Sequence, residues 1–364
     1  MKNLSFVFLG FFLLNFTNAQ DFSSVLESEL GEKKAGISVS IQSGDDSFSW
    51  SGAAGFADIK TEEKLKPNQT FRIASVTKTY VAASILRLME LGVLSLDDPI
   101  SKHISAAHEA ILSKDYNLDE ITIRQILRHS AGFFDHTHAA EFFDTILKDP
   151  SHTWTRTEQF QMGVDKGDPI GPPGKQFGYS DTGYVILGEL IEKYTGKNLD
   201  GGIKELLKLE EKGLERTDFE GEDPITDQLR IHQYFQGMDT YQFSPTMDYF
   251  GGGGFLSNTE ELVDFFQLLF QGKIFDDPKT LDTMLEQVTY ENKATMDYQM
   301  GMYRVKIGDY EAYCHSGFWG TMVAFIPEKD MYLAANYSSG WKGSAVAPVL
   351  VKMIKEMENA SNKN

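Results

Sequence analysis

Ser75-Val76-Thr77-Lys78 opens a stretch, Ser75 to Leu91, whose apolar residues recur at helical spacing and stop at Gly92. On a helix, residues three apart share a face, so this tetrapeptide sets a lysine amine beside a serine hydroxyl. The pairing breaks a local rule. A first turn favours an acidic residue by about 0.3–1 kcal/mol, and a lysine there stands against the helix dipole. Such breaks are expected at functional sites, because a serine nucleophile needs an adjacent base and a helix N-terminus disfavours the ammonium form. Ser-x-x-Lys by itself is a weak signal, since it also occurs on ordinary helix surfaces.

Two further segments strengthen it. Gly178-Tyr179-Ser180-Asp181-Thr182-Gly183-Tyr184 follows a Gly/Pro-rich approach, Gly171 to Gly174, and leads into a helical pattern from Tyr184 to Tyr194, which puts Tyr179 on a constrained loop. His315-Ser316-Gly317, followed by Phe318, closes a strand-like run, and its small residues would let a substrate approach the backbone.

Outward from these motifs, the two ends of the chain read as strands and the middle as helices. Asp21 to Leu30 forms a loosely amphipathic helix, and Ala35 to Gln42 with Ser47 to Ala54 forms a hairpin around Gly44-Asp45-Asp46. Ile121 to Arg128 is a short helix, and the aromatic-rich span from Phe133 to Gly174 suits a lobe over a cleft. Gly251 to Gly254 has no Gly-Lys-Ser/Thr after it, so it reads as a packed turn rather than a phosphate loop. Ser257 with Glu260 fits a capping box for a helix from Thr259 to Phe270. Met300 to Ile307, Tyr310 to His315, Thr321 to Ile326 and Met331 to Tyr337 are spaced like a meander, and Val346 to Met357 is a closing helix. This order predicts an α+β fold: an antiparallel sheet built from both chain ends and flanked by helices, with a mostly helical lobe, roughly residues 100–250, inserted in the middle.

Composition narrows the function. The 364 residues carry a formal charge of −19, which repels nucleic acid, so no nucleic-acid partner is expected. The one cysteine, Cys314, permits no internal disulfide and no Cys-type metal site, and no cofactor is called for. Asp135, His136, His138 and Glu141 contain zinc-ligand types, but they suit a polar rim equally, and no metal is assigned. At the N-terminus, Lys2, an apolar run from Leu4 to Leu14 and the small Ala19 read as a signal peptide over residues 1–19. A secreted or periplasmic protein, residues 20–364, with no stable membrane span is the expectation.

Ser-x-x-Lys, Tyr-Ser-Asp and His-Ser-Gly, in that order, resemble the motifs of the penicillin-recognising serine hydrolases, in detail the class C β-lactamase-like and D-Ala-D-Ala carboxypeptidase branch. The likeness includes Phe71-Arg72-Ile73-Ala74, Gly92 to Asp98, His129-Ser130-Ala131-Gly132 and the Gly251 run, and covers about residues 22–350. It implies Ser75 as the acylated nucleophile and Lys78 and Tyr179 as its proton-transfer partners. It also implies an oxyanion hole from the backbone N–H groups of Ser75 and Phe318, and substrate contacts from Asp181, His315, Ser316, Gly317 and Phe318. Neutralising an isolated lysine or ionising an isolated tyrosine at pH 7 costs about 4 kcal/mol. An ion pair at about 4 Å returns a similar amount at an effective dielectric of about 20, which favours Tyr179 as an ionised base beside cationic Lys78.

Two departures matter. Asp181 stands where the family often has Asn; an acceptor-only group there favours a substrate amine or holds Lys78 charged, and it could also cap the helix. His315 stands where many β-lactamases have lysine, which weakens attraction for a substrate carboxylate. The expected function is a secreted serine hydrolase of a small-molecule or peptide substrate, a D-amino-acid-containing peptide or small ester. The alternatives are a β-lactam-hydrolysing enzyme or a slowly acylating penicillin-binding sensor.

Overall fold

Along Ile37–Ser43, Ile37, Val39 and Ile41 alternate with Ser38 and Ser40, a period that a strand sorts onto opposite faces. In the computed structural model, which describes residues 22–30, 34–221, 229–291, 294–340 and 343–361, this strand joins the two ends of the chain. It pairs antiparallel with Ser49–Ala54 on one side and with Met331–Tyr337 on the other. The sheet continues through Thr321–Ile326, Tyr310–Gly317, Tyr303–Ile307 and Asp297–Tyr298, seven strands in all. The fold is therefore the expected α+β arrangement, with its sheet drawn from both ends. The expected signal peptide, 1–19, lies outside the described residues.

Each face of the sheet has its own core. On one, residues 22–30 and the Ala347–Ser361 helix bring Phe22, Leu26, Leu350 and Met353 against Val39, Cys314 and Leu333. On the other lies the Thr259–Phe270 helix, and beyond it the long helices of the middle segment, Thr77–Glu90, Asp181–Thr195 and Leu199–Leu207. Thr77–Glu90 is buried along twelve of its fourteen residues, as expected of a helix enclosed on all sides. Lys78 therefore sits on no ordinary helix surface.

Short strands tie the segment before Ser75 to the glycine run. Phe71–Arg72 pairs with Phe255–Ser257, which also pairs with Asp218–Phe219. The Arg72 guanidinium clasps Glu220 and donates to the Phe243 carbonyl at 2.7 Å. Pairing of Ser257 with Phe71 also corrects the expected cap. Ser257 ends its strand, and the side chain of Asn258, not Ser257, accepts the Glu261 N–H at 2.9 Å to cap Thr259–Phe270. Likewise the strand expected from Met300 begins at Tyr303. Gly301, at φ +76°, turns the chain against the buried helix, and Thr79 Oγ1 donates to its carbonyl at 2.6 Å.

Candidate active site

Ser75 occupies a 3-10 turn, Ala74–Val76, that runs directly into the Thr77–Glu90 helix. A 3-10 turn eclipses residues three apart, and Lys78 Nζ donates to Ser75 Oγ at 3.0 Å. Ala74 is held at φ +46°, a left-handed conformation that costs an L-residue about 1–2 kcal/mol and persists only where the surroundings enforce it. One enforcing neighbour is the end of the Tyr310–Gly317 strand: a Cβ on Gly317 would lie 2.1 Å from the Ile73 carbonyl oxygen. The small residue leaves room for the chain's own backbone.

Lys78 has no exposed side-chain surface. Besides Ser75 Oγ, its Nζ reaches the Gly252 carbonyl at 2.6 Å and Asp181 Oδ1 at 2.7 Å. The first two are hydrogen bonds, and Asp181 adds its charge at ion-pair distance. Asp181 is the first residue of the Asp181–Thr195 helix, and Ser180, the capping position, makes no side-chain cap. Of the three roles expected for Asp181, the geometry shows the pairing with Lys78, and the carboxylate also lines the cavity beside Ser75.

That pairing corrects the expected ionised tyrosine. Tyr179 lines the cavity with Ser75, and burial, then the Asp181 carboxylate, then Asp135 and Asp248 push its hydroxyl well above the ordinary tyrosine range. The countercharge that a tyrosinate would need is already engaged by Asp181. The Tyr179 ring lies 5.1 Å from Lys78 Nζ and 4.1 Å from the His129 ring at 32°. His129 Nδ1 accepts the Ser180 N–H at 3.1 Å, and burial with the nearby Lys78 keeps this imidazole neutral, well below its usual range.

His315 is also neutral. Its Nε2 faces the Tyr298 hydroxyl at 3.0 Å and its Nδ1 the Ser316 carbonyl at 2.8 Å. Burial and Lys78 hold it down at about 3. Ser316 Oγ accepts the Tyr303 hydroxyl at 2.7 Å, and of the residues from His315 to Phe318 only Phe318 lines the cavity. Cys314 points to the opposite face, with its thiol pushed up to about 12 by burial, so it plays no part here.

Ser75, Tyr179 and Asp181 open into a cavity of about 270 Å³. Phe142, Phe143, Ile146 and Phe318 form an apolar wall; Asp135, Asp248 and the indole of Trp319 face it. A family model described as Beta-lactamase matches residues 26–347. The chain belongs to the β-lactamase family.

Relatives within and around that family carry varied names. A probable fimbrial assembly protein FimD from Dichelobacter nodosus is 27% identical over 58% of this chain and 51% of its own length, so the chain spans about half of that relative. Penicillin-binding protein 4 from Bacillus subtilis (strain 168) is 24% identical over 90% of this chain and 68% of its own. The crystal structure of a D-amino acid amidase from Ochrobactrum anthropi SV3 shares the fold at a TM-score of 0.78, with 20% identity over 95% of this chain and 99% of its own.

Within this β-lactamase-family site, the motif residues Ser75, Lys78, Tyr179 and Asp181 come together, whereas Asp248 and Trp319 carried no sequence signal. Asp135 was legible only as part of a possible metal cluster, which the fold takes apart. His136 Nδ1 sits 3.0 Å from Thr182 Oγ1, and Glu141 pairs with Lys166 at 2.8 Å. Among the described residues no three His, Cys, Asp or Glu side chains converge as a ligand set.

Asp181→Asn keeps an acceptor beside Lys78 but removes its countercharge. Breaking a buried ion pair typically costs about 3–5 kcal/mol, against 0–1 for an exposed one. Since Asn still accepts from the ammonium, a loss near 3 kcal/mol is expected in urea denaturation. A loss under about 0.5 kcal/mol would show that the pair behaves as a surface bridge.

Proposed function

We propose that this chain, exported after removal of residues 1–19, is a serine hydrolase that works through an acyl-enzyme on Ser75. The observation that carries this is the setting of one hydroxyl: Ser75 Oγ accepts from Lys78 at 3.0 Å and lines the same cavity as the Tyr179 hydroxyl, to which it can pass its proton. As Oγ attacks a substrate carbonyl carbon, that proton passes to the Tyr179 oxygen while Tyr179 releases its own to the departing nitrogen or oxygen. Tyr179 begins and ends neutral, which suits a hydroxyl held well above its ordinary range. The Lys78 ammonium stabilises the charge developing on Oγ. A water molecule taking the leaving group's place reverses the sequence and frees the acid.

Family membership supports a hydrolase; the fold shared with a D-amino acid amidase favours an amide of a D-amino acid or a peptide containing one, with small esters as a second substrate class. A neutral, buried His315 supplies no fixed positive charge for a penicillin carboxylate, which argues against efficient β-lactam hydrolysis. The purified exported protein, with an intact mass lacking residues 1–19, should be offered p-nitrophenyl acetate, D- and L-amino-acid amides, D-Ala-D-Ala peptides and a chromogenic cephalosporin. The ester and the D-amides should turn over, and the cephalosporin at least about a hundredfold more slowly. A preference for the cephalosporin would favour the β-lactamase alternative, and acylation without turnover would favour the penicillin-binding sensor.

A further inference from the structure

We propose that Asp135 and Asp248 form an ammonium subsite in the Ser75 cavity, so that the hydrolase prefers acyl groups carrying a free protonated amine and a bulky apolar side chain. This rests on the hydrolase reading above and specifies its substrate.

Asp135 is only 2% exposed, yet it lines the cavity. Its Oδ1 takes both the N–H and the hydroxyl of Thr137, at 3.0 and 2.8 Å, while Oδ2 has no hydrogen-bond partner among the described residues. Asp248 closes the Pro245–Asp248 turn and is packed so tightly on the glycine run that a Cβ on Gly253 would lie 2.5 Å from its Oδ1. Trp319 lines the cavity with it.

The cations nearby are already committed. Lys78, which faces Asp248, is paired with Asp181; Arg72, also on its side, is paired with Glu220. Asp135 faces Asp181 and the exposed His138, and buried His136 is held down at about 4 and stays neutral. Burial, followed by repulsion from Asp181, pushes both Asp135 and Asp248 up to about 6. Two carboxylates without a countercharge thus face the same enclosed space as the nucleophile. A ligand ammonium supplies that charge, and its neighbouring side chain meets Phe142, Phe143 and Phe318. An acylated amine would bury a neutral amide against an unpaired carboxylate, so only the N-terminal residue of a peptide fits.

The test compares kcat/KM for D-phenylalanine p-nitroanilide and its N-acetyl form. Wild type should favour the free amine at least a hundredfold at pH 7.5. Above about 6 both acids are ionised, so this ratio should rise as pH climbs through 6 and fall again as the substrate amine loses its proton near 8. Asp135→Asn and Asp248→Asn should each lower the ratio about tenfold and flatten its acid limb. A wild-type ratio near one, or a ratio unmoved in both variants, would overturn the subsite while esterase turnover and fluorophosphonate labelling of Ser75 still stand. No labelling and no turnover of any substrate would overturn the hydrolase reading and the subsite with it.

Discussion

Ser75→Ala should abolish covalent labelling by a fluorophosphonate and lower kcat by about 10⁴-fold or more, the usual scale for removing a nucleophile whose partners act as a unit. The scale follows from convergence: Lys78 donates to Ser75 Oγ and Tyr179 lines the same cavity, so on the proposed mechanism both lose their reaction partner with one atom. The fold should persist, since Lys78 keeps Gly252 and Asp181. Intact-mass analysis after incubation reads the adduct directly. An adduct on another serine, or turnover within tenfold of wild type, would remove the mechanism.

Gly317→Ala should also be damaging, by about 10²-fold, although it adds only a methyl group. The new Cβ would lie 2.1 Å from the Ile73 carbonyl oxygen and 3.3 Å from Ala74 Cβ, and backbone has no rotamer with which to yield. Relief requires the strand end to part from the segment that leads into Ser75. Overpacking of this kind costs about 1–3 kcal/mol, and a shift of about 1 Å at a nucleophile costs about 10²-fold in rate. Gly92→Ala is the control: its φ is also positive, at +67°, but nothing stands within 4 Å, so it should lose about 1 kcal/mol and no activity. Equal kcat/KM for Gly317→Ala and wild type would show that the contact does not position Ser75.

What was legible in the sequence is local. Thr321–Ile326 and Met331–Tyr337 have the bounds their β-branched and aromatic runs predict, and Ser75 meets Lys78 because they stand three positions apart on helical backbone. What was not legible depends on residues distant in the chain. Whether Lys78 pairs with Asp181 or with an ionised Tyr179 is decided by how the two helices pack, and periodicity carries no information on that. Asp248 belongs to a four-residue turn that no motif marks. His315 is read correctly as neutral, but its burial against Tyr298 depends on Asp297–Tyr298 joining the sheet edge. The cap moved from Ser257 to Asn258 because a strand partner almost two hundred residues earlier claimed the serine first.

The seam between Ile37–Ser43 and Met331–Tyr337 also sets a timetable for folding. Ile37 aligns with Tyr337, so the first strand's second partner is synthesised 300 residues after it. At about 5–20 residues per second, the wait is about 15–60 s. Until then the early hairpin has an open edge. On the proposed mechanism, a truncation that removes Met331–Tyr337 should leave the chain chemically idle.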